Sequence, residues 1–173
     1  NLDAGGWKQS SRLAAPVFSS SNGGTMTLNV NADATAGVLY VQSSPTVNKP
    51  LCMELDTKEA EVVQLRFKLK NFKANGTPTV GVYFYSTITS HPMGTDSILN
   101  ACTDFCYPTA EELNNDTYIT MTLPVSDAVK AVEKITALRL NFSGMESIST
   151  TQLGAITVDY IYVGSKAFAP TGC

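Results

Sequence analysis

A chain of 173 residues has room for one domain of ordinary size. Charged residues make up only 16%, the formal net charge is −3 and Ser and Thr fill about 35 positions, which excludes the basic surface that nucleic acid demands. A hydrophobic content of 43% excludes wholesale disorder, and no apolar stretch approaches the roughly 20 residues of a membrane-spanning helix.

The chain opens on Asn1 rather than Met, as a mature product or an excised domain would. Residues 1–20 carry few strand signals and read as an N-terminal arm, with one short apolar run, Leu13–Phe18. From Thr25 to Val30 polar and apolar residues alternate, the period of a half-buried strand. Gly37–Ser43 reads as the next strand. Glu61–Lys70 is the clearest: Val63, Leu65, Phe67 and Leu69 point one way, and Gln64, Arg66, Lys68 and Lys70 the other. The segment Asn71–Pro78 holds Asn75-Gly76, a hairpin-turn signal. Val80, Val82 and Phe84 then alternate with Gly81, Tyr83 and Tyr85.

Thr87–Glu112 has no sustained period and reads as a long excursion. Tyr118–Leu123 alternates again. Ser126–Lys134, with a capping serine and Val129 and Val132 three apart, reads as a short helix. Ile135–Phe142 and Ala155–Val163 complete the strands, and residues 165–173 form a tail. Seven or eight strands with one apolar face each require two antiparallel sheets packed together. The expected fold is therefore all-β, a single β-sandwich over 1–173 with its core in 21–164, of the jelly-roll type.

Four cysteines, Cys52, Cys102, Cys106 and Cys173, allow three pairings. Cys102 and Cys106 are close enough to close a small loop and tie the excursion, leaving Cys52 to pin Cys173. Zinc is disfavoured by the spacing and by a single histidine, His91. Three Asn-x-Ser/Thr acceptors occur, at Asn75, Asn115 and Asn141. Asn115 sits in a polar turn, and Pro78 after Thr77 is unfavourable for Asn75. Disulfides and acceptor sites together point to a secreted or extracellular-surface protein.

The order of pieces is familiar. Trp7 follows Ala4-Gly5-Gly6; Ser19–Ser43 has a glycine turn, a polar strand, an Ala-Asp pair and a strand ending in Gln-Ser. Then come Val63-Gln-Leu-Arg-Phe-Lys-Leu-Lys-Asn71, Val80-Gly-Val-Tyr-Phe-Tyr-Ser86, Ile135-Thr-Ala-Leu-Arg-Leu-Asn-Phe142 and Gly154-Ala-Ile-Thr-Val-Asp-Tyr-Ile-Tyr-Val163. Over residues 7–163, apart from the excursion, this resembles the jelly-roll carbohydrate-binding modules with a galactose-binding-like fold, found on bacterial surface and polysaccharide-degrading proteins.

The resemblance implies a non-catalytic domain that binds polysaccharide or another glycan. A pyranose ring stacks its C–H groups on an aromatic face while its hydroxyls pair with Arg, Asn and Gln. Tyr83, Tyr85, Tyr118, Arg66, Arg139, Asn141 and Gln64 are the outward residues that would build such a face. The resemblance also implies a structural calcium ion on Asp159, with Asp3 as the nearby acid, although two acids leave most of its six to eight oxygen ligands to carbonyls and water. Trp7 is expected as a structural anchor. No other cofactor is implied.

Catalytic groups are sparse. His91 has no evident partner, and Glu59 with Glu61 and Glu111 with Glu112 fall in charged turns or strand edges, where solvation is the ordinary explanation. A competing reading is a self-assembling subunit of an extracellular fibre or surface layer, in which Leu13–Phe18 donates a strand to a neighbour or copies pack head to tail.

Overall fold

The computed structural model describes residues 7–20, 24–32, 37–43, 57–86, 97–102, 104–131 and 135–169. Among these residues ten strands form: β1 (Trp7–Gln9), β2 (Val17–Ser19), β3 (Thr25–Asn29), β4 (Leu39–Ser43), β5 (Val62–Lys70), β6 (Phe72–Ser86), β7 (Ser97–Asn100), β8 (Tyr118–Pro124), β9 (Ile135–Ser147) and β10 (Ala155–Gly164). They make two five-stranded sheets, in the orders β1-β4-β9-β6-β7 (the front sheet) and β2-β3-β10-β5-β8 (the back sheet). Every named pairing is antiparallel. The fold is the expected all-β jelly-roll sandwich.

Alternation builds it. In β5, Val63, Leu65, Phe67 and Leu69 are fully buried, while Arg66 and Lys68 on the other side are half-buried and Lys70 is exposed. In β9, Leu138, Leu140 and Phe142 go in, and Arg139 and Asn141 go out. The two inward faces meet between the sheets, where Phe67 of the back sheet and Phe142 of the front stand edge to face at 5.9 Å. Burying each such side chain contributes about 2–3 kcal/mol. Trp7 packs half-buried against this core, as an anchor should.

Several local expectations are corrected. Asn75-Gly76 is not a hairpin turn. β5 and β6 belong to different sheets, and the chain crosses between them at a single residue, Asn71, whose φ of 59° is one that Asn tolerates better than most. Four hydrogen bonds hold this corner: its N–H donates to Asn114 Oδ1, its Nδ2 to the Leu153 carbonyl, and its own carbonyl accepts from Ile148, while Phe72 N–H donates to the Leu113 carbonyl. Asn75–Pro78 is instead a bulge in β6 where its register with β9 shifts. It faces Gly144 (φ 67°), where any Cβ would run into the Thr77 carbonyl.

Residues 7–19 are not a free arm. Trp7–Gln9 is an edge strand of the front sheet and Val17–Ser19 an edge strand of the back sheet, with Leu13 bridged to Val30. Within the molecule, Val17 and Phe18 of the Leu13–Phe18 run pair with Thr27 and Met26 of β3. The helix is short, Asp127–Lys130, capped by Ser126 Oγ accepting from Val129 N–H; residues 132–134 lie outside the described residues.

The excursion is tied, but not by sulfur. Cys102 and Cys106 are free thiols rather than a bridged pair. Cys102 bridges Val125 beside the back sheet and Cys106 bridges Val80 in the front sheet, so backbone pairing holds the segment to both. Burial pushes the Cys102 thiol up to about 12; burial and then the charge of Glu112 push Cys106 up to about 11. Cys52 and Cys173 lie outside the described residues.

Candidate functional site

The sequence-predicted sugar site divides between two surfaces. Tyr83, Tyr85, Arg139 and Asn141 share the outer face of the front sheet, on β6 and β9. Arg66, Tyr118 and Gln64 stand on the outer face of the back sheet, on β5 and β8. Alternation assigns a side chain to the outside, but a sandwich has two outsides.

The back face is self-satisfied. Arg66 Nη1 donates to Asp159 Oδ2 at 2.6 Å, with both side chains largely buried, and its guanidinium lies 4.2 Å over the Tyr118 ring. Lys68 approaches the same ring and pairs with Asp116 at 2.9 Å, as does Lys70 at 3.8 Å. Gln64 is buried, donating to Thr122 and accepting from the Tyr160 hydroxyl. Each of these cations already has an anionic partner, Lys68 and Lys70 sharing one, and Asp159 also lines a cavity with Trp7, Phe18 and Tyr160.

Asp159 is therefore engaged by a cation. A calcium ion beside that guanidinium would be repelled, and among the described residues no cluster of three or more His, Cys, Asp or Glu could hold a metal. The described residues do not fit a calcium cradle at Asp159; Asp3 lies outside them.

The front face is different. Antiparallel register places Gln42, Arg139, Tyr83 and Asn100 in one cross-strand row, and Tyr40, Asn141 and Gly81 in the next. Arg139 stacks with its Cζ 3.9 Å from the Tyr40 ring centroid, and its Nε donates to Asn141 Oδ1 at 2.6 Å. Tyr40, Tyr83, Gln42, Arg139 and Asn141 are all half-buried, so each keeps part of its surface open to solvent.

Tyr85 is less available than its outward position promised. It is only 8% exposed, and its hydroxyl reaches across β9 to donate to Gln42 Oε1 at 3.0 Å. It braces the face rather than presenting a free ring. Phe105, from the excursion, lies back over the sheet: a Cβ on Gly81 would sit 2.8 Å from its ring, whose centroid is 6.3 Å from that of Tyr83. Gly81 is bare because an aromatic ring occupies the place of its side chain.

Tyr40, Gln42 and Phe105 thus join the site without having been singled out from the sequence. Tyr40 was detectable as the outward residue between Leu39 and Val41; Phe105 sits in a stretch with no period. The acceptor asparagines scatter. Asn115 is exposed, its Oδ1 accepting from Thr117 N–H; exposed Asn75 donates to Glu146; Asn141 is part of the front face. Glu61 and Glu112 accept from the backbone N–H groups of Lys166 and Thr109. His91 lies outside the described residues. Among the described residues, no helix is long and apolar enough to cross a membrane.

No protein-family model and no curated protein matches the chain. Among solved structures, it is similar to a carbohydrate-binding module specific for non-crystalline cellulose (CBM28), with 13% identity, a TM-score of 0.55, and 92% of this chain and 87% of that one covered. It is also similar to Caldicellulosiruptor saccharolyticus CBM27-1 in complex with mannohexaose, with 12% identity, a TM-score of 0.53, and 90% and 88% covered. At that identity the likeness concerns the backbone: this chain has the β-sandwich fold of these carbohydrate-binding modules.

Proposed function

We propose that the outer face of the front sheet binds a polysaccharide and that the domain is a non-catalytic carbohydrate-binding module acting outside the cell. The observation that carries this is one face holding partly open aromatic rings, Tyr40, Tyr83 and Phe105, beside the amides of Gln42 and Asn141 and the guanidinium of Arg139. Rings supply flat apolar area for the C–H side of a sugar; amides and guanidinium supply donors and acceptors for its hydroxyls. The two similar modules, one specific for non-crystalline cellulose and one complexed with mannohexaose, support the same reading. Binding needs only this face; catalysis would need positioned acid and base groups as well.

Native affinity electrophoresis tests it, with hydroxyethylcellulose, glucomannan and polygalacturonate each cast in the gel. At least one polymer should retard the protein, and Tyr83→Ala should restore free migration. A protein that runs freely through all three overturns the reading.

A further inference from the structure

Arg139 differs from the cations of β5 and β6. Arg66 is paired with Asp159, Lys68 and Lys70 with Asp116, and Lys73 with Glu146. Arg139, in the central strand of the front sheet, makes no ion pair among the described residues. A guanidinium carries five N–H donors. One is given to Asn141, and the stack on Tyr40 fixes the group while leaving the terminal nitrogens without a hydrogen-bond partner among the described residues. A half-buried planar fork, held in place and lacking its anion, is the arrangement that binds a carboxylate through two parallel hydrogen bonds. Its register partner across the sheet is Tyr83, an aromatic side chain on the same face against which the ring of the same sugar could lie.

We propose that the ligand of this face is a uronic-acid polysaccharide, its carboxylate taken by Arg139 while its ring lies against Tyr83. This rests on the front-sheet reading above. A neutral sugar would bury the guanidinium further and leave its charge uncompensated, which costs free energy; a uronate neutralises it. The protein's own net charge of −3 gives no long-range pull on a polyanion, so any such affinity arises locally.

The test compares de-esterified polygalacturonate with the same polymer fully methyl-esterified, which keeps the backbone and removes the charge. Hydroxyethylcellulose and glucomannan serve as neutral polymers. Binding to polygalacturonate should exceed binding to its ester by about tenfold or more, and Arg139→Gln should remove that preference. Lys73→Gln, the same charge change on an exposed, paired lysine, should leave it intact. Retention by a neutral polymer with none by polygalacturonate overturns the uronate inference and leaves the front-sheet site standing. A uronate preference that survives Arg139→Gln overturns the role of Arg139. Free migration through every polymer overturns the binding reading itself.

Discussion

Tyr83 and Tyr118 look equivalent along the chain, as outward tyrosines on neighbouring-looking strands, yet they stand on opposite faces. Replacing each with alanine separates recognition from support. A sugar ring covers about 40 Å² of a tyrosine face, worth about 1 kcal/mol at about 25 cal/mol/Å². Aromatic geometry adds about 0.5–1.5 kcal/mol. Tyr83→Ala should therefore cost about 2 kcal/mol of binding, about thirtyfold in Kd. Its ring is half-buried beside Phe105 and Gly81, so the fold should be little affected. Tyr118→Ala removes the ring beneath Arg66 and Lys68, two cation–π contacts of about 0.5–1 kcal/mol each. That should lower Tm by about 2–8 °C and leave Kd unchanged. Titration calorimetry with the most strongly retained polymer gives Kd, and scanning calorimetry gives Tm. Equal weakening of binding by both substitutions, or none by Tyr83→Ala, refutes the assignment of faces.

Asn71→Ala should destabilise the fold by about 2–3 kcal/mol, since it combines a left-handed backbone penalty with loss of the bond to Leu153; Asn71→Gly should cost less by about 1 kcal/mol, and urea midpoints measure both. Phe142→Ala opens a cavity where the sheets meet and should cost about 3–5 kcal/mol in the same assay. Cys102, with its thiol pushed from 9.0 to about 12, should react with iodoacetamide at pH 8 about a thousandfold more slowly in the folded protein than in urea, read by peptide mass mapping. Because the folded state holds that proton more tightly, the associated stability is present below pH 9 and should decline as pH rises toward about 12. Asp159→Asn should lower Tm by unpairing Arg66, and a chelator should leave the wild-type Tm unchanged; a chelator effect abolished by Asp159→Asn would place an ion at that carboxylate.

The strands of this sandwich were legible because burying one side imprints a period of two. β5, β9 and β10 show it plainly, and Ser126 announced the helix it caps. Which sheet a strand joins leaves no such imprint. Leu28 pairs with Ile156 and Val41 with Leu140, partners remote along the chain, and alternation cannot distinguish a front outside from a back outside. This is why Arg66 and Tyr118 were grouped with Tyr83. Asn75-Gly76 satisfied the chemistry of a turn, and a bulge asks for the same chemistry. The clue to Phe105 was not its own neighbourhood but Gly81, a residue with no side chain set among Val80, Val82 and Tyr83. Tyr85 pointed outward as expected; its hydroxyl bonds to Gln42, two strands away across the sheet, a neighbour no local pattern records.

The positions of β9 and β10 carry a consequence for how the protein is made. β9 is the middle strand of the front sheet and β10 the middle strand of the back sheet, yet among the described strands they come last in chain order. On the ribosome, everything before Ile135 emerges as flanking strands without a centre: β4 waits for β9, and β3 waits for β10. Pairing so distant in sequence closes slowly, and until it closes the apolar sides of both half-sheets stay wet. A chain that stops before Ala155 should be unable to complete its back sheet. A smaller folded unit cannot be had by removing β9 and β10, because they are the strands around which the others assemble.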